Sequence, residues 1–239
     1  MKELTVINHS GGLDSSTLLL KALDEGHHVL PVVYNYGQKN IVEVIAQKKI
    51  HNALQKRYPN LNETMYVNVA SIMSDVISRF QERRDNQEEE SMKYYMPSRN
   101  LLFLSMSAVI GEILSTGEYS KLNLGLGIHK HSDIYERDYW DISPEFAIRM
   151  QQVLDLNDNL DIEVYAPFKD NFKSEIIKEA IRLKLPFELT WTCYNPTYLS
   201  DTKVRPCNKC EACRERESQA VIADSEIGIK INDYILELE

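Results

Sequence analysis

Between a predicted strand and a predicted helix stands the octapeptide Ser10-Gly11-Gly12-Leu13-Asp14-Ser15-Ser16-Thr17. Residues 3–9 before it, with apolar Leu4, Val6 and Ile7, predict a short buried strand, and residues 18–27 after it predict a helix that starts near Ser15. Glycines let a backbone approach an anion closely, while the free amides and the dipole of a helix start favour phosphate. The octapeptide therefore predicts a phosphate-binding loop in the first strand–helix unit.

Asp14 distinguishes this loop from a simple anion site. A carboxylate repels phosphate unless it holds a magnesium ion that bridges to the phosphate oxygens, so we expect Asp14 to be a magnesium partner. The lysine of a GxxxxGK[ST] loop is missing, and the glycine spacing is not GxGxxG. The alternative is a glycine-rich turn in which Ser15 or Ser16 is the N-cap of the helix.

The rest of the chain alternates between strand-like and helix-like segments. Predicted strands cover residues 28–36, 65–70, 121–128 and 161–168, and predicted helices cover residues 42–54, 101–115, 145–154 and 173–183. The helix at 101–115 is apolar nearly all round and is expected to be buried. The charged residues 76–90 predict a solvated loop or an exposed helix. The alternation predicts an α/β fold with a doubly wound, mostly parallel sheet in residues 1–190, followed by a small appendage in residues 191–239.

Charge and hydropathy limit the partners. The chain has 27 basic and 36 acidic residues, a net charge of −9, whereas proteins that grip nucleic-acid backbones are usually basic. A free small molecule is therefore favoured as the substrate. The N-terminal residues become polar before a signal-peptide core could form, and the longest apolar run, Leu101 to Leu114, is too short and too rich in serine to span a bilayer. We expect a cytoplasmic protein with no membrane partner, and a homodimer.

The four cysteines of the chain lie close together in the sequence. They are Cys193, Cys207, Cys210 and Cys213. Two successive CxxC spacings place three thiolates around one point, and a fourth cysteine completes a tetrahedron, which is typical of structural zinc. An iron–sulfur cluster uses the same ligands and remains an alternative. A disulfide is disfavoured in a reducing cytoplasm.

Three further segments carry candidate binding residues. Tyr36 and Gln38 follow the second strand, where an open α/β sheet binds ligands, although Gly37 also suits a plain turn. Arg99, before an apolar helix, is either a surface charge or the partner of a phosphate or carboxylate. Residues 129–146 form a polar, aromatic loop, in which carboxylates suit the N–H groups of a guanine-like base and the rings offer a stacking surface.

Together these motifs resemble one family within the PP-loop ATP pyrophosphatases, the 7-cyano-7-deazaguanine synthases. SGGLDSST resembles the PP-loop, and the segment with Arg99 is similar to a "PGRN" motif, with Ser98 in place of glycine. The stretch from Thr192 through CNKCEACRERE resembles the closing "TCYN…CGxCxxCxxR" pattern. With a "K-x-E" helix start at Lys173 and Glu175, the resemblance runs from Ser10 to about Arg216.

The resemblance implies an adenine nucleotide alpha hydrolase-like fold, with ATP, Mg²⁺ and Zn²⁺ as cofactors. The chain would adenylate 7-carboxy-7-deazaguanine and convert it with ammonia to the nitrile. Implied nucleotide contacts are Ser10, Gly11, Gly12, Leu13, Asp14, Ser15, Ser16, Tyr36 and Gln38. Implied catalytic residues are Asp14, Ser15, Arg99 and Lys173. Implied substrate contacts are Arg99, Gly127, Asp133, Tyr139, Asp141 and Phe146, and the four cysteines would hold zinc.

The loop at residues 129–146 departs from the family pattern. Trp140 replaces a proline, and His129-Lys130-His131 replaces a cysteine–glutamate stretch. The two histidines are either solvated or act as metal ligands or bases. One alternative is therefore a paralogue that passes the deazaguanine acid to another amine, which includes an amine on a macromolecule. A second alternative is a non-catalytic, nucleotide-sensing zinc module.

Overall fold

The structure is a computed structural model. It describes residues 2–36, 41–70, 96, 98–115, 117–130 and 139–238. The interpretation of residues 76–90 and the predicted roles of Gly37, Gln38, His131 and Asp133 fall outside these ranges.

A five-stranded sheet forms the centre of the fold. Its strands are β1 (Glu3–Asn8), β2 (His28–Asn35), β3 (Met65–Asn68), β4 (Lys121–Gly125) and β5 (Asp161–Tyr165). They pair in the order β3-β2-β1-β4-β5, and every pair is parallel. The predicted parallel sheet is therefore confirmed. The strand order reverses between β1 and β4, and the carboxyl ends of these two strands form the crevice where an open α/β sheet binds its ligands.

Helices cover both faces of this sheet. They are α1 (Leu13–Asp24), α2 (Ile41–Gln55), α3 (Arg99–Leu114), α4 (Pro144–Leu154) and α5 (Lys173–Arg182). Successive strand residues point to opposite faces. Ile7 of β1 therefore joins a core with α1, α2 and α5, while Leu4 and Val6 join a second core with α3 and α4. The doubly wound arrangement is confirmed.

Helix α3 departs from the prediction of a fully buried helix. Phe103, Leu104 and Ala108 are buried against the sheet, but Val109 and Ile113 are 59% and 66% exposed. The prediction was wrong because an apolar residue on every side indicates hydrophobicity, whereas a helix that covers one face of a sheet buries only one side. In the described part of the chain, each helix is too short or too polar to cross a membrane.

The C-terminal segment adds a small sheet and two helices. These elements are β6 (Thr197–Ser200), β7 (Lys203–Arg205), α6 (Glu211–Ala223), α7 (Ser225–Lys230) and β8 (Leu236–Glu237). The strands pair antiparallel in the order β6-β7-β8. Ala220 of α6 and Ile231 belong to the same core as α1 and α5, so this segment packs directly on the main sheet's helices. A boundary between residues 190 and 191 stays a prediction.

Candidate functional site

The predicted phosphate loop lies at the reversal point of the sheet, between β1 and α1. Gly11 has a positive φ of 82°, and a Cβ atom there would lie 2.5 Å from Glu43 O and 2.7 Å from Gln47 N. Only glycine fits at this position, because α2 runs directly against the loop. Gly12, rather than Ser15 or Ser16, is the N-cap of α1.

The hydroxyl groups of the loop fold back onto its own backbone. Ser16 Oγ donates to Gly12 O at 2.7 Å, Ser15 Oγ donates to the same carbonyl at 3.3 Å, and Ser10 Oγ lies 3.1 Å from Ser15 Oγ. The first amides of α1 have no carbonyl within the helix to bond. Amides of this kind at a helix start form an anion site.

His9, at the end of β1, is a residue that the sequence analysis missed. It is fully buried, with Nε2 3.0 Å from Ser16 Oγ and Nδ1 3.4 Å from Gln47 Nε2. Ser16 uses its single proton for Gly12 O, so His9 Nε2 carries the proton that Ser16 Oγ accepts. Nδ1 then accepts from the Gln47 amide. His9 thus ties the phosphate loop to α2. A polar residue directly after an apolar strand was the available signal.

Burial holds the His9 ring in its neutral form. Desolvation, with a smaller effect from His51, lowers the pKa of His9 to about 3. The tautomer required by Ser16 and Gln47 is therefore the state present at neutral pH.

Lys173, the first residue of α5, lies between two carboxylates. Its Nζ is 3.3 Å from Asp14 Oδ2 and 3.1 Å from Glu215 Oε2 of α6. The Lys173 side chain is 8% exposed, and those of Asp14 and Glu215 are 29% and 22% exposed. Two predicted catalytic residues, Asp14 and Lys173, are therefore in contact. Glu215 was not predicted, since no spacing in the sequence relates it to the phosphate loop.

The ion pairs control the protonation states of this cluster. Burial raises the pKa of Asp14, but the charge of Lys173, helped by His129, outweighs burial and lowers it. Burial lowers the pKa of Lys173, but Asp14 and then Glu215 raise it by more. Asp14 is thus ionised and Lys173 protonated at neutral pH. Asp14 Oδ1 is buried and has no hydrogen-bond partner among the described residues, so a hard cation suits it.

Arg99 approaches this cluster from α3. Burial lowers the pKa of Arg99, but Tyr36, which hydrogen-bonds to it, raises the pKa by more. Tyr194 interacts electrostatically with both Arg99 and Lys173, and desolvation of its phenol oxygen raises its pKa to about 12. The structure therefore joins the predicted residues Tyr36 and Arg99, and it brings Arg99 and Lys173 within electrostatic range of Tyr194. Ser98, which precedes Arg99, has a positive φ of 57°.

Two predicted substrate contacts have structural partners in the described loop. Asp141 is 2% exposed, and its Oδ2 accepts from the Asn100 amide at 3.0 Å, so it serves as the cap of α3. Phe146 is buried with its ring edge-on to Trp140, with centroids 5.5 Å apart. Among the described residues, no hydrogen bond or ion pair joins Asp141 or Phe146 to Lys173. Their roles in binding stay predictions.

The beginning of the same loop lies close to the phosphate loop. Lys130 N donates to Asn171 O at 2.8 Å, which fixes the loop beside the start of α5. His129 is close enough to Asp14 for its charge to lower the pKa of that carboxyl. A Cβ atom added at Gly127 would lie 3.9 Å from Leu18 Cδ2 of α1, an ordinary van der Waals distance. Tyr139 directly precedes the short helical turn Trp140–Ile142.

The four cysteines converge as predicted. The ligand atoms of Cys193, Cys207, Cys210 and Cys213 lie within 4.8 Å of one another, and those of Cys193 and Cys210 are 4.0 Å apart. A tetrahedral zinc with Zn–S bonds of about 2.3 Å needs sulfur atoms about 3.8 Å apart. The amides of Cys207 and Cys210 donate to sulfur at 3.3 Å, which stabilises thiolates. The donor set therefore fits one metal ion.

The cysteine cluster and the phosphate loop are joined through one segment. Trp191 N donates to Gly11 O at 2.9 Å, two residues before Cys193. Arg216 of α6 is 1% exposed and donates to Thr190 O at 3.2 Å and to Phe187 O at 2.9 Å. The described geometry thus couples the loop to the helix that carries Cys213.

Comparisons with known proteins agree with this arrangement. The family model of the queuosine biosynthesis protein QueC matches residues 4–222. A 7-cyano-7-deazaguanine synthase of Pseudoalteromonas translucida is 30% identical over 217 residues, which cover 90% of this chain and 93% of that protein. The 7-cyano-7-deazaguanine synthase of Thermoplasma volcanium is 30% identical over 224 residues, covering 90% of this chain and 86% of that protein.

Among solved structures, the chain is similar to the U34-tRNA thiolase NcsA from Methanococcus maripaludis, which was solved with its [4Fe-4S] cluster. The two share 12% identity with a TM-score of 0.44, over 97% of this chain and 70% of the thiolase. This likeness is too distant to carry a conclusion about activity or metal. The family match instead covers nearly the whole chain, from β1 through the cysteines to α6. The chain belongs to the QueC family of queuosine biosynthesis proteins.

Proposed function

We propose that the chain uses ATP to adenylate 7-carboxy-7-deazaguanine and then converts the adenylate with ammonia to 7-cyano-7-deazaguanine. The observation that carries this proposal is the contact between Asp14 and Lys173 beside the phosphate loop, at the reversal point of the sheet in a chain of the QueC family. A phosphate site flanked by a carboxylate and a buried ammonium suits a reaction that releases pyrophosphate.

The chemistry requires activation of a poor electrophile. A carboxylate repels nucleophiles, and oxide is a poor leaving group. Attack of the carboxylate oxygen on the α-phosphorus of ATP releases pyrophosphate and leaves an acyl adenylate. Ammonia then displaces AMP, which keeps that oxygen, and gives the amide. A second adenylation, on the amide oxygen, permits loss of a second AMP and forms the nitrile.

The chain's residues would act through position and charge. Backbone amides at the start of α1 would receive the phosphates, while Lys173 would stabilise the charge that grows on departing pyrophosphate. Arg99, held near Tyr36, would bind a phosphate or the substrate carboxylate through its planar fork. No side-chain nucleophile is needed, because holding the reactants together supplies much of the rate.

Two metals are part of the proposal. Asp14, through its unpartnered Oδ1, would hold magnesium, which when bound neutralises charge on the ATP phosphates. The four cysteines would hold zinc with no open position, so this metal would stabilise the fold instead of taking part in the chemistry. Gly127, Asp133, Tyr139, Asp141 and Phe146 remain the proposed contacts of the deazaguanine ring.

The test is a pyrophosphate-release assay with mass spectrometry of the products. With Mg²⁺ and ATP, pyrophosphate is expected only when 7-carboxy-7-deazaguanine is added, and the nitrile is expected once ammonia is supplied. Accumulation of the adenylate or amide with ammonia as the only amine would instead favour transfer to another acceptor. ATP binding without pyrophosphate release would support a nucleotide-sensing module and refute the enzyme.

A further inference from the structure

Glu215 stands apart from the residues that the proposed reaction assigns. It lies on α6, two residues after Cys213, and its Oε2 is 3.1 Å from Lys173 Nζ. Lys173 is thus bracketed by two carboxylates although it carries one positive charge. A single pair with Asp14 would already neutralise a buried ammonium, so the second carboxylate needs its own explanation.

Asp14 is a partner whose charge the proposed reaction would share with a metal. If magnesium binds Asp14 Oδ1, the ion offsets the carboxylate charge that now balances Lys173 through Oδ2. A buried ammonium whose partner's charge is offset is held less firmly, because burying an unbalanced charge is costly. Glu215 approaches Lys173 from α6, whereas Asp14 approaches from α1. It therefore remains available when Asp14 is engaged.

The backbone around Glu215 is held on both sides. Asn232 Nδ2 donates to Cys213 O at 2.9 Å, and Arg216 donates to three acceptors in residues 187–192. Helix α6 also packs on α5, whose first residue is Lys173. A carboxylate fixed between two anchored residues can hold its partner at one position.

We infer that Glu215 is a positioning residue, which keeps the Lys173 ammonium directed at the phosphate loop while Asp14 is occupied by metal. The inference rests on the adenylation proposed above. Glu215 need not touch ATP, and its effect is exerted through Lys173. An interaction that matters mainly as pyrophosphate departs changes kcat more than KM.

The test compares Glu215→Gln with Glu217→Gln, a matched control. Glu217 lies on the same helix but is exposed, so both variants remove one negative charge from α6. Steady-state pyrophosphate release should give a kcat at least about thirtyfold lower for Glu215→Gln, with the KM for ATP within about threefold of wild type. Glu217→Gln should match wild type. Glu215→Asp, which keeps the charge, should recover part of the loss.

Crystal structures of wild type and Glu215→Gln with Mg·ATP make the inference independent of the substrate assignment. Lys173 Nζ should move away from the phosphate loop in the variant. An unmoved Lys173 would overturn the inference, as would a kcat within about twofold of wild type. If wild type releases no pyrophosphate with 7-carboxy-7-deazaguanine, the proposed reaction fails, and the position of Lys173 alone decides the role of Glu215.

Discussion

The cysteine cluster and the Asp14–Lys173–Glu215 cluster both include residues of helix α6. The first is assembled mainly from residues close together in the sequence, whereas the second is assembled from distant parts of the chain. Three of the four cysteines lie within residues 207–213, so their spacing alone brings their thiols together. The three charged residues come from α1, α5 and α6 and meet only because the sheet and its helices have formed. We therefore expect damage to the first cluster to appear as lost stability and damage to the second as lost turnover.

The largest expected effect is at the cysteine cluster. Cys210→Ala removes a metal ligand, and because metal binding contributes directly to folding, it should lower the free energy of unfolding by more than about 4 kcal/mol. Soluble yield should fall more than turnover per folded molecule. Lys209→Ala, between the CxxC cysteines but exposed, is the control. Elemental analysis should give one zinc per chain, and iron or no metal in a folded sample would contradict the zinc assignment.

Asp14→Asn should lower turnover strongly while leaving stability nearly unchanged. The loss of one charged contact that stabilises the transition state costs about 3–4 kcal/mol, so pyrophosphate release should fall by a factor of several hundred. The melting temperature should change little by comparison. Asp24→Asn, at the exposed end of the same helix, should keep wild-type turnover. Turnover near wild type in Asp14→Asn would show that the loop is only a structural turn.

His9 tests whether the phosphate loop also contributes to stability. The pKa of His9 is lowered from 6.5 to about 3 in the folded chain, so the unfolded chain binds more protons between these values. Stability from neutral His9 is thus complete above pH 6.5 and is lost as the pH falls towards 3, by about 2 kcal/mol between pH 7 and pH 5. Denaturant unfolding of His9→Gln should lack this part of the pH dependence. An unchanged slope would contradict a buried neutral ring.

The smallest expected change in the free energy of unfolding is at two strained backbone positions, one near each cluster. Ser98 and Asn208 both have a φ of 57°, where a side chain is disfavoured but asparagine is tolerated better than serine. Both stand where the family motifs have glycine. Ser98→Gly should raise the free energy of unfolding by about 0.5–1 kcal/mol, and Asn208→Gly should raise it less. Ser98→Ala, which keeps the Cβ atom, should give no gain in thermal unfolding, and a gain equal to that of glycine would disprove the strain.

Sequence reasoning succeeded where neighbouring residues decide the outcome. Periodicity located the five strands and the alternation of the fold, and the cysteine spacing predicted a single cluster. Glu175 illustrates a motif residue with a local role, because its Oε2 accepts from Phe172 N at 2.8 Å and caps α5. Features that depend on packing were missed. The exposed side of α3, with Val109 and Ile113, looked the same in sequence as its buried side.

Long-range contacts were beyond what a linear pattern encodes. Nothing in the sequence relates Glu215 to Lys173, nor does it show that Trp191 bonds to the backbone of Gly11. The tail after Ser218 also gave no interpretable pattern, yet it forms the end of α6, then α7 and β8, and joins the main core. Asp141, a predicted substrate contact, also accepts from the Asn100 amide at the start of α3, a contact that no sequence pattern indicated.

The most direct test of the central claim, adenylation of a carboxylate, follows the oxygen atoms. Wild-type protein is incubated with ATP, Mg²⁺, ammonia and 7-carboxy-7-deazaguanine labelled with ¹⁸O in both carboxylate positions, and the products are examined by mass spectrometry. The account predicts two AMP molecules for each nitrile, each AMP carrying one ¹⁸O, with unlabelled pyrophosphate. Label in inorganic phosphate or in water, with AMP unlabelled, would contradict it.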